Sequence, residues 1–166
     1  VGIPLRSVSL KIVSDSGQPV DLNEIGTLWI KGENVMVGYY NAPGKTAEII
    51  KDGWLCTGDL ALFNSAGLLQ IKGRMDDLII KAGMNIYPQE IESALRLDPR
   101  VHEVCVYGDH DEKLGMQIIL TIVGDFSNVA EVRELCNSHL PAYQMPSRII
   151  LVDEIPRNGS GKTVRK

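Results

Sequence analysis

Apolar residues at Val8, Leu10 and Ile12 alternate with polar neighbours, a period of two that predicts a β-strand. The strand runs into residues 14–19, SDSGQP, whose Gly and Pro mark a turn. A second apolar run at 27–31 ends at Gly32, and a third, VMVGYY at 35–40, closes on Asn41, Ala42, Pro43 and Gly44. Residues 46–51 predict a short helix. Residues 60–63 and 68–72 flank Asn64-Ser65-Ala66-Gly67 and predict a hairpin with a four-residue loop. The first half therefore reads as β structure.

The pattern changes near Gly73-Arg74-Met75-Asp76-Asp77. Pro88 suits the first position of a helix with Ile91, Ala94 and Leu95 on one face, and Asp98-Pro99 must stop it, because the residue before a proline disfavours the α region. Residues 101–107 and 116–123 predict strands. Asn128, with Glu131 three positions on, opens a further helix with Val129, Val132, Leu135 and Cys136 inward. A last strand covers 148–152. The order β, α, β, β, α, β predicts a small α+β domain with two helices on one sheet. The expected division is 1–75, β-rich, and 76–166, α+β. A charged joint with no Gly/Ser linker between them suits a defined hinge.

Composition narrows the functions. The 166 residues are 44% hydrophobic and 23% charged, as in ordinary globular chains. A formal net charge of −4 argues against duplex nucleic acid as a partner. No apolar run approaches the ~18 residues of a membrane span. Cys56, Cys105 and Cys136 form no C-x-x-C pair, and His102, His110 and His139 show no ligand spacing, so reduced thiols in a cytoplasmic protein are expected, with no metal site. The first residue is Val1, and the start reads as a cut inside a longer chain.

PRNGSGKT at 156–163 ends like a phosphate-cradling P-loop, G-x-x-x-x-G-K-[ST], but the opening glycine falls on Pro156, which has no N–H to offer a phosphate. Only Val164, Arg165 and Lys166 follow, too few for the helix that would aim its N-terminus at an anion. Lys162 on a glycine-flanked tip needs another explanation.

One lies in a resemblance. The stretch GWLCTGDLALFNSAGLLQIKGRMDDLIIKAGMNIYPQEIE, 53–92, resembles the core of the adenylate-forming ligases: acyl- and aryl-CoA synthetases, peptide-synthetase adenylation domains and luciferases. VMVGYYN before it, LPAYQMP at 140–146 and PRNGSGKTVRK at 156–166 fit the same family in the same order. The resemblance implies that 1–75 is the β-rich tail of a large adenylation domain whose phosphate loop, adenine-binding segment and acyl pocket are missing, and that 76–166 is the complete small mobile C-terminal domain.

It also implies roles. Asp59, in Thr57-Gly58-Asp59, would accept hydrogen bonds from both ribose hydroxyls, which a carboxylate's two oxygens allow. Arg74 would contact the nucleotide. Asp76 matches the hinge about which the small domain swings between two poses. In one, Lys162 would bridge the attacking carboxylate and the α-phosphate during adenylation. In the other, Gly83, in Lys81-Ala82-Gly83-Met84, would let a pantetheine arm pass. Plainer readings stand beside these: a turn aspartate, a surface arginine, a hairpin glycine and a frayed basic tail. Tyr39 and Tyr40 read as packing residues. Thr27 departs from the family's usual glutamate, and LALFNSAG lacks its common acidic residue.

The expected function is that of the C-terminal part of an acyl-CoA synthetase, using ATP, a carboxylic acid and CoA, with Mg2+ in the parent enzyme, and inactive alone. A fragment of a carrier-protein-loading adenylation domain is the alternative, since only the acceptor's tether differs. A non-catalytic binding module is the reading from another class.

Overall fold

The computed structural model describes residues 2–165, which fall into two compact units that divide after Asp76.

The first unit is built on an antiparallel sheet. Strand β1 (Val8–Val13) pairs with β2 (Gly26–Gly32), which pairs with the long β4 (Trp54–Phe63). The other edge of β4 carries β3 (Ile50–Lys51) along its start and β5 (Leu69–Arg74) along its end. Ile12, Leu28, Ala61 and Leu69 form the small core, with Leu10, Val20, Ile30, Phe63 and Ile71 against it. The β4–β5 loop is organised by Asn64, whose Oδ1 accepts from the Ala66 and Leu68 N–H groups.

Two expectations fail in this unit. Residues 35–40 form no strand: the chain loops over α1 (Pro43–Ile49), and the Tyr39 N–H donates to Thr46 Oγ1 at 2.9 Å. A Cβ at Gly38 would stand 2.7 Å from Thr46, so the backbone lies directly on that helix rather than on a neighbouring strand. Nor do the tyrosines pack, since Tyr39 and Tyr40 are 51% and 93% exposed. The helix begins at Pro43, three residues before its expected start.

In the second unit, the expected first strand is two strands. β6 (Ile79–Lys81) and β7 (Met84–Ile86) pair only with each other. Then come α2 (Pro88–Leu95), the long hairpin of β8 (Val101–Asp111) and β9 (Gly115–Gly124), α3 (Val129–His139) and β10 (Arg148–Leu151), which runs parallel to β9. The three-stranded sheet has the order β10-β9-β8. Asn128 caps α3 through Oδ1, which accepts from the Ala130 and Glu131 N–H groups, and Glu131 in turn accepts from the Ser127 N–H. Both helices bury apolar faces on the sheet: Ile91 and Leu95 meet Val104, Val106, Ile118, Leu120 and Ile122, together with Val132, Leu135 and Cys136. Val129, expected inward, is 39% exposed on the first turn of α3.

Candidate active site

The first cluster lies where β4 leaves its regular register. Thr27 pairs with Leu60 and Trp29 with Cys56, so Thr57, Gly58 and Asp59 together oppose Leu28 alone. This is a β-bulge, a device that re-aims side chains beside functional sites. Thr57 fixes it, its Oγ1 donating to the Leu28 carbonyl at 3.0 Å and accepting from the Asp59 N–H at 3.0 Å. Gly58 takes φ +74°, in the left-handed region that side chains resist. On the other side, Asp59 is the register partner of Arg74 on β5, and the guanidinium reaches over Gly58, 3.3 Å from where a Cβ would stand. Asp59 is half-buried and Arg74 exposed. Among the described residues, neither charged group makes a hydrogen bond or ion pair to another side chain. A carboxylate and a guanidinium at paired positions of neighbouring strands can take a polyhydroxylated anionic ligand.

Asp76 stands in a one-turn 3-10 helix, Met75–Asp77, and is the last residue of the first unit. Gly83 shares the two-residue turn of the β6–β7 hairpin with Ala82, and both have positive φ, +77° and +51°. A type I′ hairpin requires that pair of conformations, so turn geometry alone accounts for glycine here. A Cβ at Gly83 would meet nothing within 4 Å, which leaves the space over the turn open. Lys81, beside the turn, donates to Ser147 Oγ at 3.2 Å.

Lys162 lies near the end of a narrow loop closed by backbone. Val164 N–H donates to Pro156 C=O and Asn158 N–H to Lys162 C=O, while Arg157 bridges Thr163. Inside, Asn158 Oδ1 accepts from the Ser160 N–H (3.1 Å), the Ser160 hydroxyl (2.8 Å) and the Lys162 N–H (2.9 Å). Lys162 is exposed, and its ammonium has no partner among the described residues. Lys162 and Gly83 stand on separate loops of the second unit, and Asp59 and Arg74 belong to the first.

The loop is fastened by residues the sequence reading missed. Arg157 donates to Glu103 Oε2 on β8 at 2.7 Å and to the Gly161 carbonyl at 3.3 Å. Arg165 donates to Glu92 Oε1 on α2 at 2.6 Å and to the Val106 carbonyl on β8, and its Nε lies 3.4 Å from Asp77. Glu92 is only 3% exposed and also accepts from the Val106 N–H at 2.9 Å. Burial works against the Arg165 charge, but the hydrogen bond and charge of Glu92 outweigh it and raise its pKa. A signal was present: Glu92 follows Pro88 by four residues and sits between Ile91 and Leu95, so an acid had to enter the buried face of α2.

Comparison with known proteins agrees with the resemblance. The profile of the AMP-binding enzyme C-terminal domain matches residues 90–162. The whole chain aligns at 34% identity with 30% of a long-chain-fatty-acid–CoA ligase of Haemophilus influenzae, and 99% of it at 38% identity with 34% of a 2-succinylbenzoate–CoA ligase of Geobacillus kaustophilus. The chain is a relative of the C-terminal part of the adenylate-forming enzymes. Among solved structures, o-succinylbenzoate CoA synthetase of Bacillus subtilis, in complex with its acyl-adenylate intermediate, superposes with a TM-score of 0.89 at 37% identity over 98% of this chain and 34% of its own. An amide bond synthetase of Marinactinospora thermotolerans gives 0.88 at 31% identity over the same share of this chain. The chain thus spans about a third of the length of these adenylate-forming relatives.

Other features of the chain carry less. A concavity of about 510 Å3, bounded by Val37, Tyr39, Asn41, Pro43 and Thr46, holds no charged side chain and lies apart from the bulge. Among the described residues, no three His, Cys, Asp or Glu side chains gather to hold a metal. None of the described helices is long and apolar enough to cross a membrane. The three thiols are unpaired, and burial raises those of Cys105 and Cys136, the latter to about 11. Thr27, where the family usually carries glutamate, is buried with its hydroxyl 4.0 Å from the Met75 sulfur.

Proposed function

We propose that this chain is the C-terminal part of a cytoplasmic AMP-forming acyl-CoA synthetase, and that it performs no chemistry alone. The observation that carries the reading is Lys162: an ammonium with no partner among the described residues, on a loop shaped by Asn158, within the stretch shared with the AMP-binding C-terminal domain. In adenylation a carboxylate oxygen attacks the α-phosphorus of ATP, the new P–O bond forms, and pyrophosphate leaves. Two anions must approach, and an ammonium with three donors bridging them stabilises the transition state more than the separated reactants. Asp59 takes the ribose hydroxyls and Arg74 the nucleotide. Asp76 is the hinge, a role supported by the division of the chain directly after it. With the small domain turned, a CoA thiolate attacks the acyl carbon and AMP leaves, the pantetheine arm passing the open face of Gly83.

The reading is tested in the full-length enzyme with ATP, a radiolabelled fatty acid, and either CoA or a phosphopantetheinylated carrier protein. Acyl-CoA with one pyrophosphate per turnover is expected. Transfer to the carrier alone would assign the chain to a carrier-loading enzyme, and no acid-dependent pyrophosphate with any acceptor would reduce it to a binding module. The amide bond synthetase relative makes the acceptor the point to test.

A further inference from the structure

The Lys162 loop has a base as well as a tip, and the base converges on one side chain. Arg165 reaches α2 through Glu92, β8 through the Val106 carbonyl, and the start of the second unit through Asp77. The contacts to Glu92 span 73 positions of sequence, so they bind the loop to a distant part of the fold. A guanidinium is the one side chain that presents five N–H donors in a rigid planar fork, and here two acceptors and the Asp77 carboxylate charge meet it. Glu92 in turn is a buried carboxylate that needs donors to remain charged, and it receives them from Arg165, from the Val106 N–H, and from Arg96 at 3.4 Å. Two residues separate Arg165 from Lys162, and the backbone pairing of Pro156 with Val164 and Asn158 with Lys162 transmits any movement of the base to the tip.

We infer that Arg165 is a positioning residue for the adenylation step. By joining the loop base to α2, β8 and Asp77, it makes Lys162 travel as a rigid part of the small domain, in step with the first residue beyond the Asp76 joint. Without it the ammonium still exists but is delivered over a spread of positions. The inference rests on the reading of Lys162 as the adenylation lysine.

The test uses Arg165→Ala and Arg165→Lys, with Lys162→Ala as reference. In this chain, amide exchange of Asn158 and Lys162 is compared with that of Leu120 in the buried sheet. In the full-length enzyme, the two half-reactions are followed in single turnovers. Arg165→Ala should speed loop exchange by about 10-fold or more while leaving Leu120 protected, as expected of a local rather than global opening. Adenylate formation should fall by about 100-fold, the scale of a misplaced reacting group, with KM for ATP and the thioester step close to wild type. Arg165→Lys, which keeps a charge beside Glu92 and so protects the fold, should lie between, because a single ammonium nitrogen lacks the fixed planar fork that reaches Glu92, Val106 and Asp77 at once. Unchanged loop exchange in either folded variant would overturn the proposal, as would equal loss in both half-reactions or full activity of Arg165→Lys. The reference separates the two claims. Wild-type adenylation by Lys162→Ala would remove the reading and the proposal together, whereas a crippled Lys162→Ala beside normal Arg165 variants would remove the proposal alone.

Discussion

Asn158→Ala isolates the contribution of loop shape from that of charge. Asn158 Oδ1 accepts three hydrogen bonds, from the Ser160 N–H, the Ser160 hydroxyl and the Lys162 N–H, while the backbone pairs with the Lys162 and Gly161 main chain survive the substitution. A net ~0.5–1.5 kcal/mol per hydrogen bond sets the scale. The loop is exposed, so the released donors regain water, and the effective loss is about 1–2 kcal/mol rather than the full sum. That shifts the population of the ordered loop by about 5- to 30-fold. Adenylate formation in the full-length enzyme should slow by that factor, below the ~100- to 1000-fold expected for removing a preorganised charge. Asn158→Asp, which keeps an acceptor oxygen for all three donors, should restore most of the rate. Single-turnover formation of acyl-adenylate at saturating ATP measures it. An unchanged rate, or a loss as deep as that of Lys162→Ala, would refute the reasoning, the first by making the turn irrelevant and the second by making Asn158 part of the chemistry.

Two further predictions concern this chain alone. The Arg100 side chain, and then its N–H, hold Asp98 at about 2, below its ordinary 3.8, so the pair stabilises the fold fully above about pH 4 and loses that contribution as pH falls through about 2. Urea unfolding should show Asp98→Asn less stable than wild type at pH 6 and equal to it below pH 2; a gap that persists in acid would contradict the assignment. Cys56 is partly exposed while Cys105 and Cys136 are buried with raised thiol pKa values, so a thiol reagent at pH 8 should label Cys56 alone until urea is added. Rapid native labelling of Cys136 would show that the core opens locally.

How far the sequence discloses this fold depends on how local each determinant is. Both long helices are readable because their signals lie within them: Pro88 at the first turn of α2, and the Asn128–Glu131 pair at the start of α3. The run at 35–40 misleads for the opposite reason. Its apolar residues imply burial, but burial does not imply a strand, and here the segment lies over α1 with Val37 and Tyr40 exposed. The bulge at Thr57–Asp59 depends on β2, about thirty residues earlier, and no local pattern states it. The candidate site residues are therefore legible as motif matches, while their settings are not. Asp59 beside Arg74 needs the β4–β5 register, and the Arg165–Glu92 junction needs the whole small domain folded.

The central claim is that Lys162 acts in one half-reaction only. Lys162→Ala in the full-length enzyme, assayed in single turnovers, tests it most directly. Adenylate formation from ATP and acid should fall by about 100- to 1000-fold, the cost of losing a preorganised charge contact. Thioester formation from supplied acyl-adenylate and CoA should continue near the wild-type rate if the proposed swing of the small domain turns Lys162 away. Equal slowing of both steps would contradict the account and, with it, the assignment of Asp76 as the hinge.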